Sequence, residues 1–254
     1  MFESLQLFGI GLAANTLSAL AGGGTGLLQL PLLIWLGLPF SVALATHKVT
    51  TVAMGTGALF YALKKKNLNF HIILLLFGAG LPGVLLGAKM VLLIPETIGL
   101  ISLGLLNIAI ACYSIADKNL GQTIAPATLN NRPKSIGLGA LVLFLIGIIN
   151  GSLTSGTGLM VTLWLVRWFG LDYRLAIQHT LVIVGIFWNA AGAITLTLYG
   201  EVNWQWVAVL FPAAALGSWL GVYIGSRISN QHIKRLFEVS ALIAGAQLIM
   251  QPFY

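Results

Sequence analysis

The sequence predicts an all-α polytopic membrane protein made of two inverted repeats, each a broken-helix hairpin plus three transmembrane helices. Three observations lead there. The 254 residues are 58% hydrophobic and only 7% charged, whereas soluble domains carry about 25% charged residues. Two glycine-containing breaks, Ala21-Gly22-Gly23-Gly24-Thr25-Gly26 and Leu153-Thr154-Ser155-Gly156-Thr157-Gly158, interrupt long apolar runs at equivalent places in the two halves. Drawing the broken segments as hairpins places all but two of the 13 Lys and Arg residues on one side of the membrane.

Each element follows in turn. Leu5 to Ala21 is apolar and stops at the first break, and Leu27 to Leu38 is shorter still. Neither crosses a hydrocarbon core of about 30 Å comfortably alone, and together they form a broken hairpin at residues 5–38. Pro39 then opens a helix over 40–63, ending at Lys64-Lys65-Lys66. A helix over 70–91 follows, interrupted by Pro82 and Gly83, and Pro95 and Glu96 open another over 95–116. Residues 1–118 make the first repeat, and 119–134 are a polar cytoplasmic linker. The second repeat, 135–254, runs in the same order: a broken hairpin over 136–169, then helices over 173–199, 203–226 and 231–251. Gly170-Leu171 aligns with Gly37-Leu38, Ala176 to Tyr199 with Ala43 to Leu63, and Val202-Asn203-Trp204 with Leu68-Asn69-Phe70. Gly221 to Arg227 aligns with Gly83 to Lys89 after a short gap.

Charge decides how the broken segments run. If each crossed the membrane once, Lys and Arg would divide evenly between the two sides. As hairpins that return to their own side, they put Lys64, Lys65, Lys66, Lys118, Arg132, Lys134, Arg167, Arg174, Arg227, Lys234 and Arg235 together. Only Lys89 is then opposite, and Lys48 lies within a span. That asymmetry obeys the positive-inside rule. Three full spans per half is an odd number, so the halves are inverted and both termini lie outside, with Glu3, Glu96 and Glu201. The net charge of +7 therefore reflects topology and implies no nucleic-acid partner. The single cysteine, Cys112, excludes an internal disulfide. No Lys or Arg precedes the first apolar run, as a cleaved signal peptide requires, so that run is expected to remain in the mature protein.

Inverted repeats whose broken helices meet near the midplane are a recurring plan of secondary transporters. Glycine is a poor helix former, and the backbone groups freed at a break are tolerated at membrane depth only against protein or a water-filled cavity. The half-helix after each break starts with unpaired N–H groups and partial positive charge, a ready anion site. Gly22, Gly23, Gly24, Gly26, Gly156 and Gly158 would let a ligand approach the backbone, and Thr25, Thr154, Ser155 and Thr157 supply hydroxyls. The competing readings are capping for the hydroxyls and close helix packing for the glycines.

Two further polar clusters lie at matched places, Thr46-His47-Lys48 followed by Thr50 and Thr51, and Gln178-His179-Thr180. Each sits roughly 10–13 Å into its span. An intramembrane lysine is costly and by default functional, and Lys48 is assigned to balance an anionic substrate; the competing reading is snorkelling to the surface. His47 and His179 would hydrogen-bond the substrate or carry a proton, or else be satisfied core residues. Gln29 and Asn189 are weaker lining candidates. Glu238, close to the inner surface and to Arg235, reads as an ion pair or a solvated group. The chain has no nucleophile–base pair and no metal-ligand spacing. It also has no phosphate loop, since the first break lacks the strand, lysine and spacing of one. No enzyme activity, cofactor or metal is expected.

The run Ala21-Gly22-Gly23-Gly24-Thr25-Gly26-Leu27-Leu28-Gln29-Leu30-Pro31-Leu32-Leu33, then Leu36-Gly37-Leu38-Pro39, then Ala43-Leu44-Ala45-Thr46-His47-Lys48 resembles the TauE/SafE, or sulfite exporter, family. Ala45-Thr46-His47-Lys48 stands where that family carries Gly-Thr-Ser or Gly-Thr-Asn-Lys. The second half keeps the layout more loosely, with Gln178-His179-Thr180 in place of Gly-Thr-Ser. The resemblance implies a bacterial or archaeal cytoplasmic-membrane transporter of a small anion, with sulfite and organosulfur anions such as sulfoacetate as substrate class. Its partners would be that anion and the lipid bilayer, with proton or ion coupling and homo-oligomerisation left open. An anion channel, an intramembrane enzyme using His47, His179 and Glu238, and a membrane protein that transports nothing are the alternatives.

Overall fold

The computed structural model describes residues 2–20, 25–65, 69–117, 133–171, 173–225 and 230–253, and these are helical with short connections. The helices are α1 (Phe2–Leu20), α2 (Thr25–Trp35), α3 (Phe40–Lys65), α4 (Phe70–Leu75), α5 (Leu81–Val91), α6 (Glu96–Ala116), α7 (Pro133–Ser152), α8 (Thr157–Arg167), α9 (Tyr173–Val182), α10 (Asn189–Tyr199), α11 (Trp204–Gly225) and α12 (Asn230–Met250). Among the described residues, three segments are long and apolar enough to cross a membrane: Phe70–Val91, Glu96–Ala116 and Leu175–Tyr199. Helices α3, α11 and α12 run for 26, 22 and 21 residues. The chain is a polytopic membrane protein.

Two of the long segments contain a wide π turn that the sequence reading did not anticipate. Leu76–Gly80 joins α4 to α5, and Ile183–Trp188 joins α9 to α10. Pro82, in the first turn of α5, has no N–H and its ring crowds the preceding turn, which accounts for the first. The two turns meet: the Trp188 indole sits against Gly80, where a Cβ would overlap it, and donates from Nε1 to Leu76 O at 3.1 Å.

The arms of the second broken segment return to the same end. Trp164 Nε1, late in α8, donates to Gly139 O, early in α7, at 3.2 Å. Arg167 at the end of α8 pairs with Asp117 just after α6. In the first half, Leu7 near the start of α1 shares one buried cluster with Leu33 and Ile34 near the end of α2. That cluster also holds Val91 and Leu100, whereas Leu143, Leu165 and Phe169 of the second hairpin join Ile72 and Ala176 in a different one.

The halves exchange partners. Helix α1 packs along α11, and α7 packs along α5. Small residues let these backbones touch. A methyl group on Gly217 would strike Leu12 O and Thr16 N, and one on Gly83 would strike Phe144 O and Ile148 N. Gly221 meets Thr16 O as Gly87 meets Ile148 O. The packing thus makes Gly217 and Gly221 the counterparts of Gly83 and Gly87, a register without the gap inferred from the sequence. Helices α6 and α12 close the pairing through Gly104 and Gly245, each against the other's carbonyl. The small-residue packing lies mainly in these long helices.

Candidate functional site

The two breaks meet. Gly26, at the start of α2, has no room for a Cβ, which would lie 2.6 Å from Thr154 Cγ2 and 2.9 Å from Ser155 Cα. Asn107, wholly buried on α6, joins both tips: Ser155 Oγ donates to its Oδ1, and its Nδ2 donates to Leu27 O at 3.4 Å. Sequence reading missed Asn107, an isolated polar residue in an apolar helix without a partner in the repeat pattern. Gly22, Gly23 and Gly24 lie outside the described residues, as does the side chain of Thr25.

The second tip is a strained turn. The Ser155 N–H donates to Leu153 O at 2.6 Å across Thr154, whose φ is 61°. That is a γ-turn of the rare positive-φ kind, and a β-branched residue there is a true outlier. Gly156, at φ 64°, precedes α8 without supplying a side-chain cap. The nearby hydroxyls have other partners: Thr157 Oγ1 donates to Thr154 O at 2.8 Å and accepts from Asn150 Nδ2 at 2.8 Å.

Lys48 supports this turn. Its side chain is fully buried and does not snorkel. Gly192 on α10 makes room for the stem, since a Cβ there would lie 2.8 Å from Lys48 Cδ. The ammonium donates to Thr154 Oγ1 at 2.7 Å, Asn150 Oδ1 at 3.1 Å and Asn189 Oδ1 at 3.3 Å. It sits just past the C-terminus of α7, where partial negative charge favours a cation. All three acceptors are neutral.

Beside the turn lies a cavity of about 30 Å³, room for a water or two. Its polar lining is His47, Thr51, Asn150, Thr154, Thr157, Thr180 and Asn189; Gly158 and Gly185 let it reach backbone, and Met54, Leu181 and Val184 complete it. Lys48 is behind this wall. By engaging the oxygens of Asn150, Thr154 and Asn189, it leaves the Thr154 hydroxyl proton as a donor beside the cavity, while Asn150 Nδ2 donates to Thr157 Oγ1 at 2.8 Å and Asn189 Nδ2 to Gly185 O at 3.4 Å. Thr180 Oγ1 accepts from Thr162 Oγ1 at 2.9 Å, so its own proton is also available. Among the described residues no carboxylate lines the cavity. The uncapped first N–H groups of α8 begin at Thr157, on the same wall.

The other expected residues divide. His47 Nδ1 lies 3.0 Å from Gln29 Oε1, and Gln29 Nε2 donates to Thr50 Oγ1 at 3.2 Å. An amide oxygen only accepts, so His47 carries its hydrogen on Nδ1, and Nε2 is left as the acceptor, 3.2 Å from Thr51 Oγ1. Gln29 thus orients His47 from behind. His179 lies outside the cavity lining, with both nitrogens engaged by backbone: Nδ1 with Leu175 O at 2.8 Å, and Nε2 accepting from Asn69 N–H at 2.8 Å. Thr46 is placed likewise, its Oγ1 accepting from Asn203 N–H at 3.0 Å. Gln178 is near this region on α9, its Oε1 unpartnered among the described residues. Glu238 is buried and accepts from Ser114 Oγ at 2.8 Å.

The chain's relatives are membrane transporters by name. The family model for the sulfite exporter TauE/SafE matches residues 7–248. The chain is 26% identical over 243 residues to a probable membrane transporter protein of Haemophilus influenzae, covering 96% of this chain and 93% of that one. It is 28% identical over 253 residues to probable membrane transporter protein ORF9 of Sinorhizobium sp, covering 97% and 92%. It is 25% identical over 248 residues to probable membrane transporter protein YfcA of Escherichia coli, covering 98% and 88%. No solved structure matches the chain.

Proposed function

Because the chain belongs to the sulfite exporter TauE/SafE family, we propose that it is a secondary carrier of a small anion, sulfite or an organosulfur anion, with export as its direction. The substrate site is the cavity at the meeting of the two broken hairpins. One observation carries this reading: a buried ammonium engages three neutral acceptors that wall the cavity, so its positive charge lies directly behind that wall. Such a wall, with a positive charge behind it and no carboxylate among the described residues, favours a small oxyanion over a cation. The α8 N-terminus adds partial positive charge on the same side.

The architecture is compatible with alternating access. The hairpin arms return to their own ends, and the two hairpins belong to different buried clusters. Helices of one half pack on the equivalent partners in the other. This contact pattern supports a reading as two inverted repeats whose tips meet between them. A rocking of one half against the other would widen the cavity toward each side in turn. The positive-inside bias of the sequence supports both termini lying outside a bacterial or archaeal cytoplasmic membrane.

The test is efflux from liposomes containing purified protein, comparing sulfite, sulfoacetate, sulfate and thiosulfate for wild type and Lys48→Ala. Saturable flux of one sulfur anion with counterflow, lost in the variant, is the expected result. Flux that does not saturate identifies a channel. No flux of any of the four from folded protein rejects the substrate class.

A further inference from the structure

The cavity wall holds a fixed hydrogen-bond acceptor as well as donors, and the bonds behind the wall determine which atom it is. The Thr50 hydroxyl donates to His47 O at 2.8 Å, so its oxygen accepts from Gln29 Nε2 at 3.2 Å. That sets the Gln29 amide with Oε1 toward His47 Nδ1, 3.0 Å away, and places the ring hydrogen on Nδ1. The ring carries no second hydrogen, because another buried cation beside the Lys48 ammonium is costly without a carboxylate to balance it. Among the described residues none faces His47. Helix α2 offers Gln29, α7 Asn150 and Thr154, α9 Thr180, and α10 Asn189, all neutral. Helix α11 reaches α3 through Ser218, and His179 on α9 is held by backbone.

The Thr51 hydroxyl does not occupy the Nε2 lone pair. Its oxygen lies 3.2 Å from Nε2 and 3.5 Å from Nδ1, and its proton goes to His47 O at 2.8 Å. An atom that close to both ring nitrogens lies over the face of the imidazole, whereas the lone pair points outward in the ring plane. Gln29 and Thr50, on the Nδ1 side, do not line the cavity, while His47, Thr51 and Met54 do. The Nε2 edge is therefore the one turned to it. Two donors share the lining: the Thr154 and Thr180 hydroxyls accept from Lys48 Nζ and Thr162 Oγ1, and each keeps its own proton.

We propose that the cavity takes its anion in the monoprotonated, singly charged form, hydrogensulfite (HO–SO₂⁻) in preference to sulfite. The O–H of the anion donates to His47 Nε2, and its other oxygens accept from the Thr154 and Thr180 hydroxyls. An anion without that O–H sets an oxygen lone pair against the Nε2 lone pair and leaves a buried acceptor unpaired. Charge agrees with the hydrogen bonds. One ammonium stands behind the wall and no carboxylate lines it, so one negative charge neutralises the site, whereas a dianion leaves a buried charge unbalanced. Gln29 is a positioning residue here, since it fixes the tautomer of His47. The cavity as it stands has room for a water or two, and the anion enters as the halves part. The identity of the anion rests on the transport reading above; the test of its protonation does not require transport.

The test reads binding to the purified full-length protein as a rise in melting temperature, with sulfite and with methanesulfinate (CH₃–SO₂⁻), from roughly pH 6 to 9 at constant ionic strength. Methanesulfinate has a methyl group where hydrogensulfite has its O–H, and it takes up no proton in this range. Titration of His47, Lys48 or any other protein group moves the binding of both ions, so the ratio of their Kd values isolates the proton on the anion. Sulfite is expected to bind roughly tenfold tighter than methanesulfinate where hydrogensulfite predominates. The ratio should then shift about tenfold per pH unit toward methanesulfinate once hydrogensulfite is depleted. His47→Phe keeps a ring without an acceptor, and Gln29→Leu frees the tautomer; each is expected to erase most of the preference for sulfite. Gln29→Leu decides the matter if His47→Phe does not fold. A ratio that stays constant with pH overturns the proposal, because then the dianion binds or the proton resides on His47. A preference kept in both variants overturns it too, as does the absence of any response to sulfite. The expected ratio without flux in liposomes counts against the carrier reading alone, and flux with a constant ratio counts against this inference alone.

Discussion

At the scale of single residues, the centre of the site is a charge arranged through its neighbours. Lys48 touches no cavity surface, yet it fixes the orientation of three groups that do. Lys48→Met keeps the stem over Gly192 but leaves three buried oxygens unpaired. Interhelical hydrogen bonds in membranes average about 0.6 kcal/mol and reach about 1.7, so the variant should lose roughly 2–4 kcal/mol, read as a lower unfolding midpoint in denaturant. Its flux should fall further than stability alone explains. Thr154 separates shape from chemistry. Thr154→Val keeps the branched shape in the turn but removes the hydroxyl that accepts from Lys48, and anion flux from liposomes should drop at least tenfold. Thr154→Ser should retain most of it. Equal flux for Val and Ser would remove that hydroxyl from the substrate path. Lys48, His47 and Thr154 stood out in the sequence because polar residues and glycines are rare in apolar runs. Asn107, Asn150 and Thr162 did not, because a lone polar residue in a helix reads as an ordinary helix–helix hydrogen bond until its neighbours are known.

At the scale of elements, glycine spacing sets how closely the halves approach. Gly83 and Gly87 on α5 lie against the backbone of Phe144 and Ile148 on α7, Gly147 and Gly151 lie against that of Gly80 and Val84, and Gly217 and Gly221 meet α1 the same way. Membrane helices lack a hydrophobic drive toward one another, and close contact replaces it. Gly83→Leu should therefore force α5 from α7 and lower the melting temperature by several degrees. Gly9→Leu, where a side chain meets nothing within 4 Å, should leave it unchanged; equal effects at both positions would deny the packing role. The helices were legible because apolar runs bounded by Pro, Gly and charges mark their own ends. The π turns were not, since one extra residue per turn leaves hydropathy unaltered. Their placement follows from tertiary fit: Gly80 admits the Trp188 ring, and Gly55 lies against the backbone of Gly185 and Ile186.

At the scale of the whole molecule, the partner exchange explains why two weakly similar halves form one site. Neither hairpin can bury its tip against its own repeat: α1 needs α11, α7 needs α5, and the tips then meet at Gly26 and Thr154. The reciprocal locks are matched, Thr46 holding Asn203 and His179 holding Asn69. Sequence showed the repetition, but contacts between halves leave no local pattern in either. The chemistry is nevertheless unequal: the displacement that relates Thr46 to His179 carries Lys48 onto Leu181, an apolar residue. The proposed inverted arrangement implies a topology that labelling can check. With Cys112 replaced by Ser, Trp35→Cys at the open end of the first hairpin and Leu93→Cys in the turn after α5 should react with an impermeant maleimide from outside. Arg167→Cys, at the open end of the second hairpin and 56% exposed in its native form, should react only from inside. Labelling of Trp35→Cys and Arg167→Cys from the same side would mean that the hairpins are parallel, and an alternating-access cycle built on inverted halves would then have no basis.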